Sequence, residues 1–194
     1  MHQYAQSTGR RAGFTLLELV VVMVLMGVVA SIALPRIDVA RFRVNSAFRE
    51  IGMTLLAAQR AAVLKQHSVV VAIDSARGLL RVHEDRNNNG VIESGEPLRF
   101  VRFEEGVVFG RGPAPARPMG EGAIMLTKTQ GTLPAITFHR SGSAGETGGF
   151  YITSGRALHD ARHAEDAKAF EIQKATGRTV FYQYAGGSWR RTFR

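Results

Sequence analysis

Between Phe14 and Leu34 the chain runs for 21 residues with a single charge, Glu18. At about 1.5 Å per residue, a helix of that length crosses the ~30 Å hydrocarbon core of a bilayer. Arg10 and Arg11 stand just before it. Basic residues beside a span stay in the cytoplasm, so the reading places everything beyond Leu34 outside the inner membrane, on the periplasmic side. A cleavable secretory signal is the competing reading, with Ala30-Ser31-Ile32-Ala33 as its small-residue cleavage site. Two features oppose it. The run exceeds the usual apolar length of such signals, and it carries a carboxylate near its start.

A charge inside a span costs roughly 2.5–3.5 kcal/mol on insertion scales, and such a residue normally has a functional partner. No cation lies within the run to pair with Glu18. If the chain is cut after Gly13, Phe14 gains a free amino group and Glu18 becomes the fifth residue, one helical turn in. A neighbouring copy shifted along the helix axis then offers its terminal ammonium to this carboxylate. The charge that is unfavourable in lipid becomes a reason to assemble.

Gly13-Phe14-Thr15-Leu16-Leu17-Glu18 resembles the type IV prepilin signature. The likeness continues through the apolar run to Pro35, the position where many pilins carry a helix-bending proline. The resemblance implies a prepilin peptidase that cuts between Gly13 and Phe14 and methylates the new amine. It also implies a single-pass subunit that an inner-membrane platform assembles into a filament with other pilins or pseudopilins. Residues 1–13 are then a leader. Their loss lowers Lys+Arg from 25 to 23 against 16 Asp+Glu, taking the net charge from +9 to +7. That balance suits acidic partners, whether nucleic acid, membrane lipid or an acidic subunit, and equally simple solubility.

Beyond Pro35, Val44, Phe48, Ile51, Leu55, Ala58 and Ala62 recur at spacings of three and four, which places them on one helix face. Arg41, Arg43, Arg49 and Glu50 fall mainly on other faces. The reading is one long helix over about residues 15–66, bent rather than ended by Pro35. Residues 14–34 are the membrane half and 35–66 an amphipathic half that packs on a head formed by 67–194. From Ser68 short β-rich runs take over: 69–73, 79–83, 98–103, 107–109, 124–126, 136–138, 150–153, 170–174 and 179–184. Asp74–Gly78 reads as a hairpin loop. The stretch 110–122, with three prolines and four glycines, reads as a plain loop, and Gly142–Gly149 as a flexible turn. Without βαβ alternation, the fold class is α+β: a long N-terminal helix packed on an antiparallel sheet. This order, with Ile136-Thr137-Phe138 before Gly142 and Thr176-Gly177-Arg178 opening a late strand, resembles the GspH/FimT group of minor pseudopilins.

The segment Asp85–Glu96 fits the twelve-residue calcium loop. Asp85, Asn87 and Asn89 supply side-chain oxygens, Gly90 the sharp turn and Val91 its carbonyl. Glu93 acts through water, and Glu96 binds with both oxygens. The alternative is a hairpin loop whose Asn and Asp side chains cap their own backbone. No cofactor is required, and calcium is the one suggested. His159 and His163 are spaced for two metal ligands on a helix, but lack a third ligand and read as solvated surface.

Arg178, Trp189, Arg190, Arg191 and Arg194 set arginines beside an aromatic ring near the C-terminus, a pattern suited to phosphates and stacked bases. Some FimT-like proteins bind DNA through Gly-Arg-x-Arg. Gly177-Arg178-Thr179-Val180 has only its first arginine, and a tail docked on the head is the competing reading. The absence of cysteine excludes disulfides. No nucleophile elbow, zinc motif or dinucleotide fingerprint appears, so an enzyme is not expected. The expected function is a minor pseudopilin of a type II secretion system, or a type IV pilus minor pilin that takes part in DNA uptake.

Overall fold

Thr15 starts the first helix, α1 (Leu16–Ala33). Its hydroxyl accepts from the Glu18 amide at 3.2 Å and its carbonyl from the Leu19 amide. Thr15 and Glu18 therefore stand in the Ncap and N3 places of a capped helix. The carboxylate also faces the positive end of the helix dipole, worth about 0.3–1 kcal/mol. A computed structural model describes residues 13–33 and 38–192. Arg10, Arg11, Leu34, Pro35 and Arg194 lie outside them, and so does the expected continuation of one helix through Pro35. Among the described residues no helix is long and apolar enough to cross a membrane. The 18 residues of α1 rise about 27 Å, short of a ~30 Å core, whereas the apolar run in the sequence extends to Leu34.

The remaining residues form a separate compact unit, Val39–Arg194. Helix α2 (Val39–Lys65) buries the six stripe residues Val44, Phe48, Ile51, Leu55, Ala58 and Ala62. It stops where Gln66 takes a left-handed φ of 58°. Two antiparallel sheets pack against it, where one was expected. The first comprises β1 (Ser68–Asp74), β2 (Leu79–Asp85), β3 (Leu98–Arg102), β6 (Thr129–Gln130) and β7 (Leu133–Phe138), in the order β3-β2-β1-β7-β6. The second has β4 (Val107–Phe109), β8 (Gly148–Ser154), β9 (Lys168–Ile172), β10 (Thr179–Ala185) and β11 (Ser188–Thr192), in the order β11-β10-β9-β8-β4. The short β5 (Ile124–Met125) also lies on β8.

The core between α2 and the sheets draws on both. Val69, Val71 and Ile73 of the first sheet join Phe150, Ile152 and Phe170 of the second. Phe170 lies 5.1 Å from Phe48, 4.7 Å from Phe150 and 5.8 Å from Phe181 between ring centroids. Gly52 gives Phe181 its place, since a Cβ there would sit 3.0 Å from the ring edge.

Three local expectations change. The expected turn over Gly142–Gly149 ends in strand. Gly148 and Gly149 lie inside β8, where a Cβ on Gly149 would meet the Phe170 carbonyl oxygen at 2.0 Å. Close backbone approach needs glycine there, not flexibility. Strand β9 covers 168–172 rather than 170–174, because Gly177, at φ +61°, folds the chain back and its amide bonds the Gln173 carbonyl at 2.8 Å. The tail from Ser188 is strand β11, joined to β10 by Gly186-Gly187, both at positive φ. A two-glycine loop is a hairpin signal that the sequence carried.

Candidate functional site

The apolar helix comes first. From Leu16 to Val29 the large side chains of α1 are exposed, with Leu16 at 81% and Met23 at 73%. Glu18 is its acidic residue, in the first turn, and Gly13 and Phe14 precede it with Phe14 75% exposed. A helix that is apolar all round is uncovered in a lone chain and calls for lipid or other helices around it. The Thr15 cap is a contribution to this site that the sequence reading passed over, although Thr-x-x-Glu before an apolar run signals it.

The loop 86–96 is tied down by its own polar side chains. Asp85 is buried at the end of β2; its carboxylate accepts from the Asn89 amide at 3.0 Å and the Gly90 amide at 2.8 Å. Asn87 and Asn89 turn their side-chain nitrogens to the Glu93 carboxylate at 2.8 and 3.0 Å. Glu96 accepts from the Arg86 and Glu93 amides, and from His83 Nε2 at 2.7 Å. The hydrogen bond from His83 holds the Glu96 carboxyl below the usual glutamate range. This contribution to stability is present above the ordinary glutamate pKa and is lost as pH falls through the lower folded-state value.

His83 is fully buried, and Gln130 of β6 meets its Nδ1 at 2.8 Å. The amide donates there, which leaves the proton on Nε2 facing Glu96. Neither His83 nor Gln130 was singled out in the sequence, because their contacts join residues 13 and 47 positions apart. Among the described residues no group of three or more His, Asp or Glu side chains gathers as a metal site. The calcium-loop residues converge, but their oxygens serve the loop's own amides. His159 and His163 do not share a helix, since a 3-10 turn ends at Leu158 and another starts at Ala161.

The nucleic-acid candidates separate. Arg178 is exposed in the turn before β10, and Arg190 and Arg191 are exposed on β11. Trp189 is docked on the head. Its Nε1 donates to the Pro115 carbonyl at 2.8 Å, and its ring packs on Tyr184 and Tyr151. Arg117, from the same proline-rich loop, sits 3.4 Å over the Tyr182 ring and pairs with Glu171 at 2.5 Å. Its amide donates to the Tyr151 hydroxyl, which donates to the Gly120 carbonyl. The stretch 110–122 is thus a cover fastened over the outer face of the second sheet, not a free loop.

The described residues thus give an apolar N-terminal helix with one early carboxylate and a separate head of one helix on antiparallel sheets. Residues 8–34 match the prokaryotic N-terminal methylation motif. Over 129 residues, 60% of this chain and 77% of the relative, it is 27% identical to fimbrial protein EcpB of Eikenella corrodens. Among solved structures, the minor pseudopilin EpsH from the Type 2 Secretion System of Vibrio cholerae aligns over 77% of this chain and 96% of its own. The identity is 13% and the TM-score 0.38.

Proposed function

We propose that the chain is a minor pseudopilin: a non-catalytic, membrane-anchored subunit of a type II secretion pseudopilus. In this reading it is cut between Gly13 and Phe14 and methylated on Phe14, and the head stands in the periplasm. The observation that carries the reading is Glu18, one turn from Phe14 at the capped start of an exposed apolar helix, inside the matched methylation motif. Its partners are the peptidase, the assembly platform, bilayer lipid and the other subunits. Mass spectrometry of protein extracted from membranes tests the processing: the expected N-terminal peptide begins at methylated Phe14. A chain starting after Ala33 contradicts it.

A second reading, a type IV pilus minor pilin, draws on the fimbrial relative. A DNA-uptake role for it rests on the exposed Arg178, Arg190 and Arg191. Salt-sensitive DNA binding by the purified protein separates it from the first.

The loop 85–96 is proposed as a weak calcium site, with Asp85, Asn87, Asn89 and Glu96 as side-chain ligands, Val91 giving its carbonyl and Glu93 acting through water. Asn87 and Asn89 would rotate their amides so that oxygen replaces the nitrogen now on Glu93. A ligand that binds only the folded state raises its melting temperature by mass action. Millimolar calcium is therefore expected to raise melting above that in chelator, and Asp85→Ala with Glu96→Ala to abolish the difference. Equal melting with and without calcium leaves the segment a self-capped hairpin loop.

A further inference from the structure

The outer edge of the first sheet is open. Among the described residues, strand β3 ends the order β3-β2-β1-β7-β6 and pairs only with β2, with Val101 opposite Leu80 and Arg99 opposite Val82. The flanking bonds fix which backbone groups face inward. Phe103 donates to Gly78 and Glu84 donates to Pro97, so residues 97, 99, 101 and 103 bond towards β2. Leu98, Phe100 and Arg102 turn their amides and carbonyls away from the sheet.

Natural edges are commonly protected by charge, bulges or brevity. This edge carries Arg99 and Arg102, but between them Phe100 is 56% exposed and beside them Leu98 is 38% exposed. A strand built only to repel company has no use for a phenylalanine at its centre. Against the same edge, on the α2 side, lies a recess of about 350 Å³ lined by Ala57, Ala61, Val69, Val82, Leu98 and Arg99. The acid that shares it, Glu84, is already paired with Lys65 at 2.7 Å. Among the described residues, Arg99 and Arg102 have no ion pair.

We infer that β3 is a docking edge for an extended acidic segment of another protein, which adds a strand to the first sheet. Outward backbone groups at alternate residues match the ladder of an added strand, with about 6.8 Å between successive bonding residues. Arg99 lies with the recess on the α2 face and Arg102 on the opposite face, so the incoming strand fills the recess with one side chain and presents acids on both of its faces. Charge selects the occupant. A second copy pairing with Phe100 opposite Phe100 sets Arg99 opposite Val101 and Arg102 opposite Leu98, so it gathers four arginines at the edge with no acid opposite any of them.

The test uses the full-length chain in detergent and three labelled peptides. One repeats Val-Val-Glu-Glu, which puts valine and glutamate on both faces, one repeats Val-Val-Lys-Lys, and one is the glutamate peptide N-methylated on its bonding amides. Only the first is expected to bind by fluorescence anisotropy, and to slow amide exchange at Leu98, Phe100 and Arg102. Phe100→Pro removes an outward amide and leaves the β2 ladder intact, so it should weaken binding at least tenfold without changing melting. Arg99→Glu with Arg102→Glu should reverse the preference to the lysine peptide, a readout that stands even if the proline variant misfolds. Equal binding of both charged peptides, no binding of the glutamate peptide, or slowed exchange at sites other than β3 would overturn the inference.

Discussion

Gly149→Ala is expected to cost the head roughly 3 kcal/mol, at the upper end for overpacking, and to lower its melting temperature by about 10 °C. A Cβ at this position would stand 2.0 Å from the Phe170 carbonyl oxygen and 2.7 Å from Met119 Sδ. The sulfur is the end of a flexible side chain and can move. The oxygen belongs to β9, whose own strand pairing fixes it. Gly149 shows no left-handed φ, so the penalty is steric and not conformational. Gly131 supplies the contrast: its φ is +63° with nothing within 4 Å of a Cβ, so Gly131→Ala carries only the left-handed strain of about 1–2 kcal/mol. Thermal melting of the two variants decides the matter. A Gly149→Ala protein that melts no lower than Gly131→Ala contradicts the close approach of β8 to β9.

What could be read from the sequence follows how local each signal is. The stripe Val44, Phe48, Ile51, Leu55, Ala58 and Ala62 is written in the helical period, and all six residues are buried. Most strands appeared as β-rich runs for the same reason. Gly148-Gly149 misleads because glycine in sequence signals turns, whereas here it admits a neighbouring backbone. Strand β11 hides behind charged residues, since Arg190 and Arg191 sit on an exposed edge with no apolar alternation of their own.

Lys168 is the hardest case. It is 2% exposed within β9, and burial, with Arg41 nearby adding to it, lowers its pKa to about 8. The folded state therefore gives up this proton before the unfolded chain does, so stability rises with pH from about 8 towards the ordinary lysine value. Nothing in the pattern Ala167-Lys168-Ala169 announces that burial.

The candidate sites divide in the same way. Gly13, Phe14 and Glu18 stand out in the sequence because the motif that singles them out, matched over residues 8–34, is a spacing along one segment. The Asp85–Glu96 loop is legible as a pattern, yet its anchors His83 and Gln130 are set by sheet pairing across the chain. A tail docked on the head was legible as one reading, but the partners of Trp189, Pro115 and Tyr151, were not, because they lie more than thirty residues away.

Glu18→Ala is the measurement that bears most directly on the central claim, that this anchor assembles through charge. Removing the carboxylate makes the apolar run more apolar, so membrane insertion should be as good or better. The lost local dipole contribution, about 0.3–1 kcal/mol, is too small to unfold α1 where lipid or neighbouring helices cover it. What disappears is the attraction between Glu18 and the Phe14 ammonium of a neighbour, which is strong where water is excluded. In cells that make the filament, the account predicts a Glu18→Ala subunit that is cut and methylated at Phe14 and stays in the inner membrane. It also predicts that this subunit is missing from the filament and from anchor-to-anchor crosslinks. Normal incorporation of the variant, with secretion or piliation intact, contradicts the account and leaves assembly to apolar packing and contacts between heads.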